Sequence, residues 1–375
     1  MKKRLINSFP AILFSTLLFL SVYFFSRNII FGELNSVYFF VWPAYVAVIG
    51  FFIVHTGKIA FFRRIFFLSL AAGFVVHFKF SLFSDFFKSN CFDKTPYCHI
   101  AMASSFFNYL YQQYLAFMSG NWQVWGVLSL SFLWLFITLI IGRAWCSWTC
   151  FYGGIDELFS ICAPKKTLSM NKMALKFRNF PMLLLVIFLI ISFSSMLPIF
   201  CLWLCPFKAS FSFMDNNSII RALQITFMFI GVIFLILLPL LTKKRTFCSF
   251  LCPFGAWQAF FGRFNPFRIS IFEDKCLNCG VCVEKCPVFA ISKNNSDTKP
   301  KILDYCNLCG VCVDLCGSKA IEYTVFGFKV PESEKGLGQL LNVRLIAVLS
   351  FLLFSGVLGS FFVPAAMNDL IEWIK

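Results

Sequence analysis

The chain reads as an α-helical polytopic membrane protein with a small cysteine-rich α+β module inserted towards its C-terminal end. Three observations carry that reading. Apolar residues make up 59% of the sequence and charged residues 13%, against about 45–50% and 25% in a soluble domain. Apolar runs of about 20 residues recur about seven times, each long enough to cross roughly 30 Å of hydrocarbon as a helix. One polar stretch, 270–325, interrupts this pattern with eight cysteines.

That stretch contains Cys276-Leu-Asn-Cys279-Gly-Val-Cys282-Val-Glu-Lys-Cys286 and Cys306-Asn-Leu-Cys309-Gly-Val-Cys312-Val-Asp-Leu-Cys316, with 19 residues between Cys286 and Cys306. Two tandem C-x2-C-x2-C-x3-C runs are the two-cluster pattern of bacterial ferredoxins. Three thiolates two residues apart wrap one corner of an iron–sulfur cube. The fourth leaves in a new direction and reaches the other cube. The expected ligand sets for two 4Fe–4S clusters are therefore Cys276, Cys279, Cys282 and Cys316, and Cys286, Cys306, Cys309 and Cys312. Zinc ribbons use separated Cys pairs and do not need this spacing twice. The module is expected to be a two-cluster bacterial-ferredoxin-like fold, with Gly317 where the pattern usually has Pro.

Before it, the chain divides into a membrane region, 1–121, with three spans and an outer loop, and a membrane core, 122–269. A linker and a last span, 326–375, follow the module. Met1-Lys-Lys-Arg4 precedes an apolar run without a convincing cleavage site, which predicts an uncleaved first helix over 9–26. Further spans are expected at 37–54, 65–84, 124–141, 181–200, 219–241 and 343–363, with an interfacial helix at 254–268. The net charge of +16 comes from short Lys and Arg runs beside apolar segments. Such runs set orientation by the positive-inside rule. They give no reason to expect nucleic acid as a partner; the partner is lipid. The parity puts the N-terminus and the ferredoxin module on the cytoplasmic side of a bacterial inner membrane, and the C-terminus outside.

Of the 17 cysteines, six more form C-x3-C pairs: Cys146/Cys150, Cys201/Cys205 and Cys248/Cys252. Residues i and i+4 share a helix face, so both sulfurs of a pair can address one centre. The first and third repeats also match in their flanks: Arg143-Ala-Trp-Cys146-Ser-Trp-Thr-Cys150-Phe-Tyr-Gly153 against Arg245-Thr-Phe-Cys248-Ser-Phe-Leu-Cys252-Pro-Phe-Gly255. These four cysteines are candidate redox thiols or ligands of a third iron–sulfur centre at the cytoplasmic boundary. Cys201 and Cys205 are a candidate outer redox pair. Cys91 and Cys98, on an oxidising outer loop, are expected to form a disulfide; a c-type haem would need C-x2-C-H. His55, His77 and His99 read as ordinary residues, Cys162 as a reduced thiol, and Asp156-Glu157 as acids on a solvated helix start. No phosphate loop, dinucleotide fingerprint or hydrolytic constellation is present, and no catalytic residue is expected.

From Gly142 to about Tyr323 the chain resembles the membrane polyferredoxins of the NapH and NosR kind. The resemblance rests on Cys201/Cys205-Pro206, Cys248/Cys252-Pro253 and the eight ferredoxin cysteines. It implies electron transfer between the quinone pool or cytoplasmic donors and extracytoplasmic acceptors, with ferredoxin-like proteins or periplasmic reductase components as partners. The added N-terminal helices, the helix after the module and the lack of a large flavin domain depart from the family pattern. An accessory or regulatory role in assembling a metalloenzyme uses the same chemistry and stays open. A transporter is the weakest reading, because the expected spans carry almost no ionisable residue.

Overall fold

The computed structural model describes residues 8–29, 36–77, 99–120, 127–162, 165–206, 217–293, 299–328 and 342–374. The expected Cys91–Cys98 disulfide lies outside them. Helices α1 (Ser8–Ile29), α2 (Ser36–Thr56) and α3 (Ile59–His77) form the N-terminal bundle. Val127–Ile141 is α4 and Phe151–Cys162 is α5; between them lie the 3-10 turn Gly142–Ala144 and the short helix Trp145–Trp148. Phe180–Ser195 is α6, and α7 runs Ser218–Thr242 through a π-helical stretch at Ile233–Leu237. Pro253–Phe261 is α8.

Among the described residues, five helical stretches are long and apolar enough to cross a membrane: Pro10–Arg27, Val37–Thr56, Ile59–His77, Trp134–Cys162 and Ser218–Thr242. Val343–Gly359 and Val363–Ile374, bent by 46° at their junction, make a sixth if counted together. This differs from seven simple spans in three places. The run at 181–200 yields only the 16-residue α6, which Met196 stops in the left-handed conformation at φ 54°. The basic segment before the third span is helical from Ile59, and carries Arg63 into the interior. The final residues fold back as a helix on α3 and α2. The segment beginning at 254 is no surface helix either, since Phe254, Gly255, Ala256, Trp257 and Gln258 are buried.

Strand β1 (Phe267–Ile271) pairs antiparallel with β4 (Ile321–Val325), and β2 (Ile291–Ser292) with β3 (Lys301–Ile302). Helices α9 (Val281–Lys285) and α10 (Val311–Leu315) complete the module, and Val343–Gly359 and Val363–Ile374 are α11 and α12. The two halves repeat one backbone path. Asn278 and Leu308 each have φ 55°, Gly280 and Gly310 have φ 74° and 76°, and Phe289 and Lys319 have φ 55° and 53°. These left-handed residues coil each three-cysteine run around a common centre.

The module is docked, not tethered. Ile269, Val288, Leu308 and Tyr323 share one apolar core with residues of α2, α3 and α11. The Ala60 N–H donates to Asp314 Oδ2 (2.7 Å), and Arg344 Nη2 donates to Asp314 Oδ1 (2.9 Å). Deeper in, Arg63 is fully buried and donates from Nη1 to Glu157 Oε2 (3.0 Å) and from Nη2 to Glu157 Oε1 (2.5 Å). Arg245 Nη1 lies 3.8 Å from the same carboxylate. Glu157 is therefore not on a solvated helix start: it is the anion between two buried guanidinium groups from distant segments.

Glu157→Gln removes that anion and should cost about 3–5 kcal/mol, because two cations are left buried. Arg64→Gln, on a side chain 37% exposed, should cost less than about 1 kcal/mol. Thermal unfolding of the anaerobic protein in detergent checks both. A second comparison tests the module loops. Gly280→Ala meets open space and only an unfavourable φ, worth about 1–2 kcal/mol. At Gly310 a methyl would also press on the Tyr323 hydroxyl at 2.9 Å. Gly310→Ala should therefore lose its visible iron–sulfur absorbance at clearly lower denaturant than Gly280→Ala.

Candidate metal centres

Cys276, Cys279, Cys282 and Cys316 line a single pocket, together with Ile271, Pro300 and Ile321, and Cys312 of the second run also borders it. Cys286 stands in the other group: it is in electrostatic range of Cys306, Cys309 and Cys312. In both halves a backbone N–H four residues on donates to the last sulfur, Ala290 to Cys286 Sγ (3.2 Å) and Ala320 to Cys316 Sγ (3.3 Å). The two sites differ in depth. Cys279 is exposed and Cys276, Cys282 and Cys316 are half-buried, whereas Cys286, Cys309 and Cys312 are buried.

Burial and the neighbouring sulfurs of Cys309 and Cys286 push the Cys306 thiol up to about 12. Burial likewise raises Cys309 and Cys312. At Cys316 burial acts the same way, but hydrogen bonds from Ser318 and from the backbone at Ala320 and Ile321 prevail and lower the thiol. Thiolates grouped in the deep site are stable only beside positive charge, which iron would supply. No three Cys, His, Asp or Glu side chains among the described residues gather tightly enough to hold a single metal ion. A zinc site would need four donors within about 2.0–2.3 Å of one point. In a cube each cysteine takes a different iron, so the sulfurs stand apart. The donor set and its spread fit iron–sulfur clusters.

The first and third C-x3-C pairs come together. Cys150 is in electrostatic range of Cys146 and Cys252, and Cys248 of Cys252 and Cys150. Burial pushes the Cys252 thiol up to about 12, with the Cys146 sulfur adding to it. Arg245 Nη2 donates to the Cys146 carbonyl (2.6 Å) and to Cys248 Sγ (3.3 Å). The Cys248 N–H donates to Asp156 Oδ2 (2.9 Å), so Asp156 is also an interior group. Cys205, which the sequence set apart with Cys201, has its sulfur 3.0 Å from the hydroxyl of Tyr152, two residues after Cys150. Cys162 is exposed.

The segments that carry these sulfurs touch the ferredoxin module directly. Ser147 Oγ donates to the Asn307 carbonyl (2.5 Å), and the Trp148 indole nitrogen to that of Leu308 (3.4 Å). The Arg245 N–H donates to the Pro287 carbonyl (2.8 Å), and Lys244 Nζ to that of Cys286 (2.6 Å). Arg143 lies between the two sets, in range of Cys146, Cys248 and Cys252 on one side and Cys306 on the other.

Sequence reasoning passed over His99, whose Nε2 lies 2.9 Å from Cys150 Sγ. It gave no interior role to Arg63, Arg143 and Arg245, and read Asp156 and Glu157 as solvated acids, whereas both are buried. The available signal was the arginine three residues before the first cysteine in both matching repeats.

Comparison with known proteins finds iron–sulfur segments along the same stretch. Residues 123–169, 179–215 and 224–271 match the family described as 4Fe-4S binding domain, and 269–292 match a second family of the same description. The chain is 24% identical over 163 residues, 40% of its length, to the putative electron transport protein YccM of Escherichia coli. It is 44% identical over 57 residues, 15% of its length, to the methylamine utilization ferredoxin-type protein MauN of Paracoccus denitrificans. To the regulatory protein NosR of Stutzerimonas stutzeri it is 28% identical over 174 residues, 42% of its length. The matched segments span 43%, 20% and 22% of these three relatives, less than half of each. No solved structure matches significantly. Its repeated 4Fe-4S segments and ferredoxin-type relatives make the chain similar to iron–sulfur electron-transport proteins, NosR among them.

Proposed function

We propose that the chain is embedded in the bacterial inner membrane and passes single electrons between a soluble protein at its ferredoxin module and a redox site among its helices. The observation that carries this reading is the direct contact between the segments that bear the two sulfur sets: Ser147, beside Cys146, holds the carbonyl of Asn307, beside Cys306, at 2.5 Å. Cys276, Cys279, Cys282 and Cys316 would hold one 4Fe–4S cluster, and Cys286, Cys306, Cys309 and Cys312 the second. When bound, such clusters supply one-electron chemistry at low potential.

The residues around them give the module a polarity. The rim of the first site is open, with Cys279 exposed and Leu277 79% exposed. A ferredoxin-like partner would dock there. The deep site is closed by Tyr323, Leu308 and Trp148, which keep water from its sulfurs, and it backs onto the C-x3-C segments. The N-terminus and the module would face the cytoplasm and the C-terminus the outside, with quinone or an extracytoplasmic reductase component as the far partner. The apolar outer faces of α1 and α7, including Leu17, Phe24, Phe227 and Phe229, would meet lipid.

The ligand sets are tested by single substitutions in the anaerobically purified full chain. Cys316→Ala should remove the signal of the more exposed cluster and Cys286→Ala that of the buried one, each lowering iron by about four per chain. If Cys286→Ala disturbs the exposed cluster and spares the buried one, the crossed ligation is wrong. Zinc in place of iron in the native protein would overturn the electron-transfer reading itself.

A further inference from the structure

We propose that Cys146, Cys150, Cys248 and Cys252 together hold a third iron–sulfur cluster, placed between the two matching repeats with Arg143 and Arg245 as its counter-charges. The proposal extends the electron-transfer reading but is tested by iron of its own. Four thiols are the number such a centre takes. Here they come as two pairs from separate segments, bridged by Arg245 Nη2, which donates to the Cys146 carbonyl (2.6 Å) and to Cys248 Sγ (3.3 Å). Cys146, Cys150 and Cys252 are 6%, 2% and 3% exposed.

The surroundings repeat with the cysteines. The Gly153 N–H points to Cys150 Sγ (3.5 Å) and the Gly255 N–H to Cys252 Sγ (3.4 Å), so each repeat offers its second sulfur one backbone donor. The arginines cross over. A methyl on Gly255 would lie 3.5 Å from Arg143 Nη2, and one on Gly153 would collide with Arg245 Nη2 and the Cys146 carbonyl. Each guanidinium therefore reaches from its own repeat into the turn of the other. Hydrogen bonds to ligand sulfurs and nearby positive charge are the means by which proteins hold and tune iron–sulfur centres. His99 adds a third such group, at 2.9 Å from Cys150 Sγ. The middle repeat has neither part: Pro198 stands where the others have arginine, and Lys208 where they have glycine.

The strongest pointer to a missing anion is Arg143. It is 8% exposed, and its Nε and Nη1 have no hydrogen-bond partner among the described residues. Among those residues no carboxylate forms an ion pair with it, in contrast to Arg63 and Arg245, which share Glu157. Its charged neighbours are sulfurs. Leaving a guanidinium buried without an anion is strongly unfavourable. Neutral thiols or disulfides would do so, whereas four thiolates around iron give the region net negative charge. A mononuclear site is disfavoured because among the described residues no three donors gather closely enough for one ion.

Iron, acid-labile sulfide and Mössbauer spectra of the anaerobic full chain test this. The expected iron is about ten to twelve per chain, above the eight of two cubes. Cys248→Ser and Cys252→Ser should each remove only the excess, leaving both ferredoxin signals, which also report that the variant has folded. His99→Phe should retain the third centre and lower its midpoint potential. About eight irons in the native protein, or an excess that both serine variants retain, would overturn the assignment while leaving the ferredoxin clusters intact. Should a serine variant lose all iron, the native Mössbauer spectrum decides: a component beyond two cubes supports the third centre, and its absence rejects it. Loss of every iron from the native protein would instead sink the reading in the preceding section.

Discussion

Buried positive charge is the constraint around which this chain is arranged. Arg63, Arg143 and Arg245 are withdrawn from water at the junction of the helices and the ferredoxin module. Each such ion costs several kcal/mol unless an anion sits against it. Glu157 meets that need for Arg63 and Arg245, and in doing so pins α3 and α5 to the segment before Cys248. Arg143 has sulfurs as its charged neighbours on both sides and the Tyr305 ring against its guanidinium. Its position makes sense if the sulfur sets carry negative charge, as metal-bound thiolates do.

The same groups explain how a soluble-looking module becomes part of a structure built on long apolar helices. Ordinarily a ferredoxin fold closes its own small core. Here Tyr323, Leu308 and Ile269 complete a core with α2, α3 and α11, and the backbone of the deep half is bonded to Ser147, Lys244 and Arg245. The exposed site keeps Cys279 at the surface, although Lys244 also bonds the Glu284 carbonyl beside it. One end is thus suited to meeting a partner and the other to a fixed, dry contact with the helices. Fixed geometry and low dielectric favour electron exchange without reorganisation of water.

Much of this was legible in the sequence because it depends on local spacing. The two cysteine runs carry the iron–sulfur ligand pattern, and the flanks of Cys146/Cys150 and Cys248/Cys252 already mark them as related. The apolar runs give the helices, though α6 is shorter than its run and α3 starts earlier than composition suggests. What stayed hidden depends on distant partners. Arg63 and Arg64 look like a basic loop until Glu157, 94 residues away, is placed against them. Asp156 and Glu157 resemble any acidic pair at a helix start, and nothing in a single sequence says that the helix is inside. His99 likewise carries no motif; only the fold brings it to Cys150. The arginines before Cys146 and Cys248 were visible as a repeat, but their crossing into each other's turns is a property of the packing.

The central claim is that the deep ferredoxin site is the obligatory link between the surface and the membrane core. Freeze-quench EPR on the full chain in lipid nanodiscs, mixed with a reduced ferredoxin-type donor, addresses it most directly. The account predicts that the exposed cluster is reduced first, and that core reduction follows in the native chain. In Cys309→Ser, which breaks the deep site, the exposed cluster should still be reduced at its native rate while the core stays oxidised. Core reduction at an unchanged rate in that variant would contradict the account.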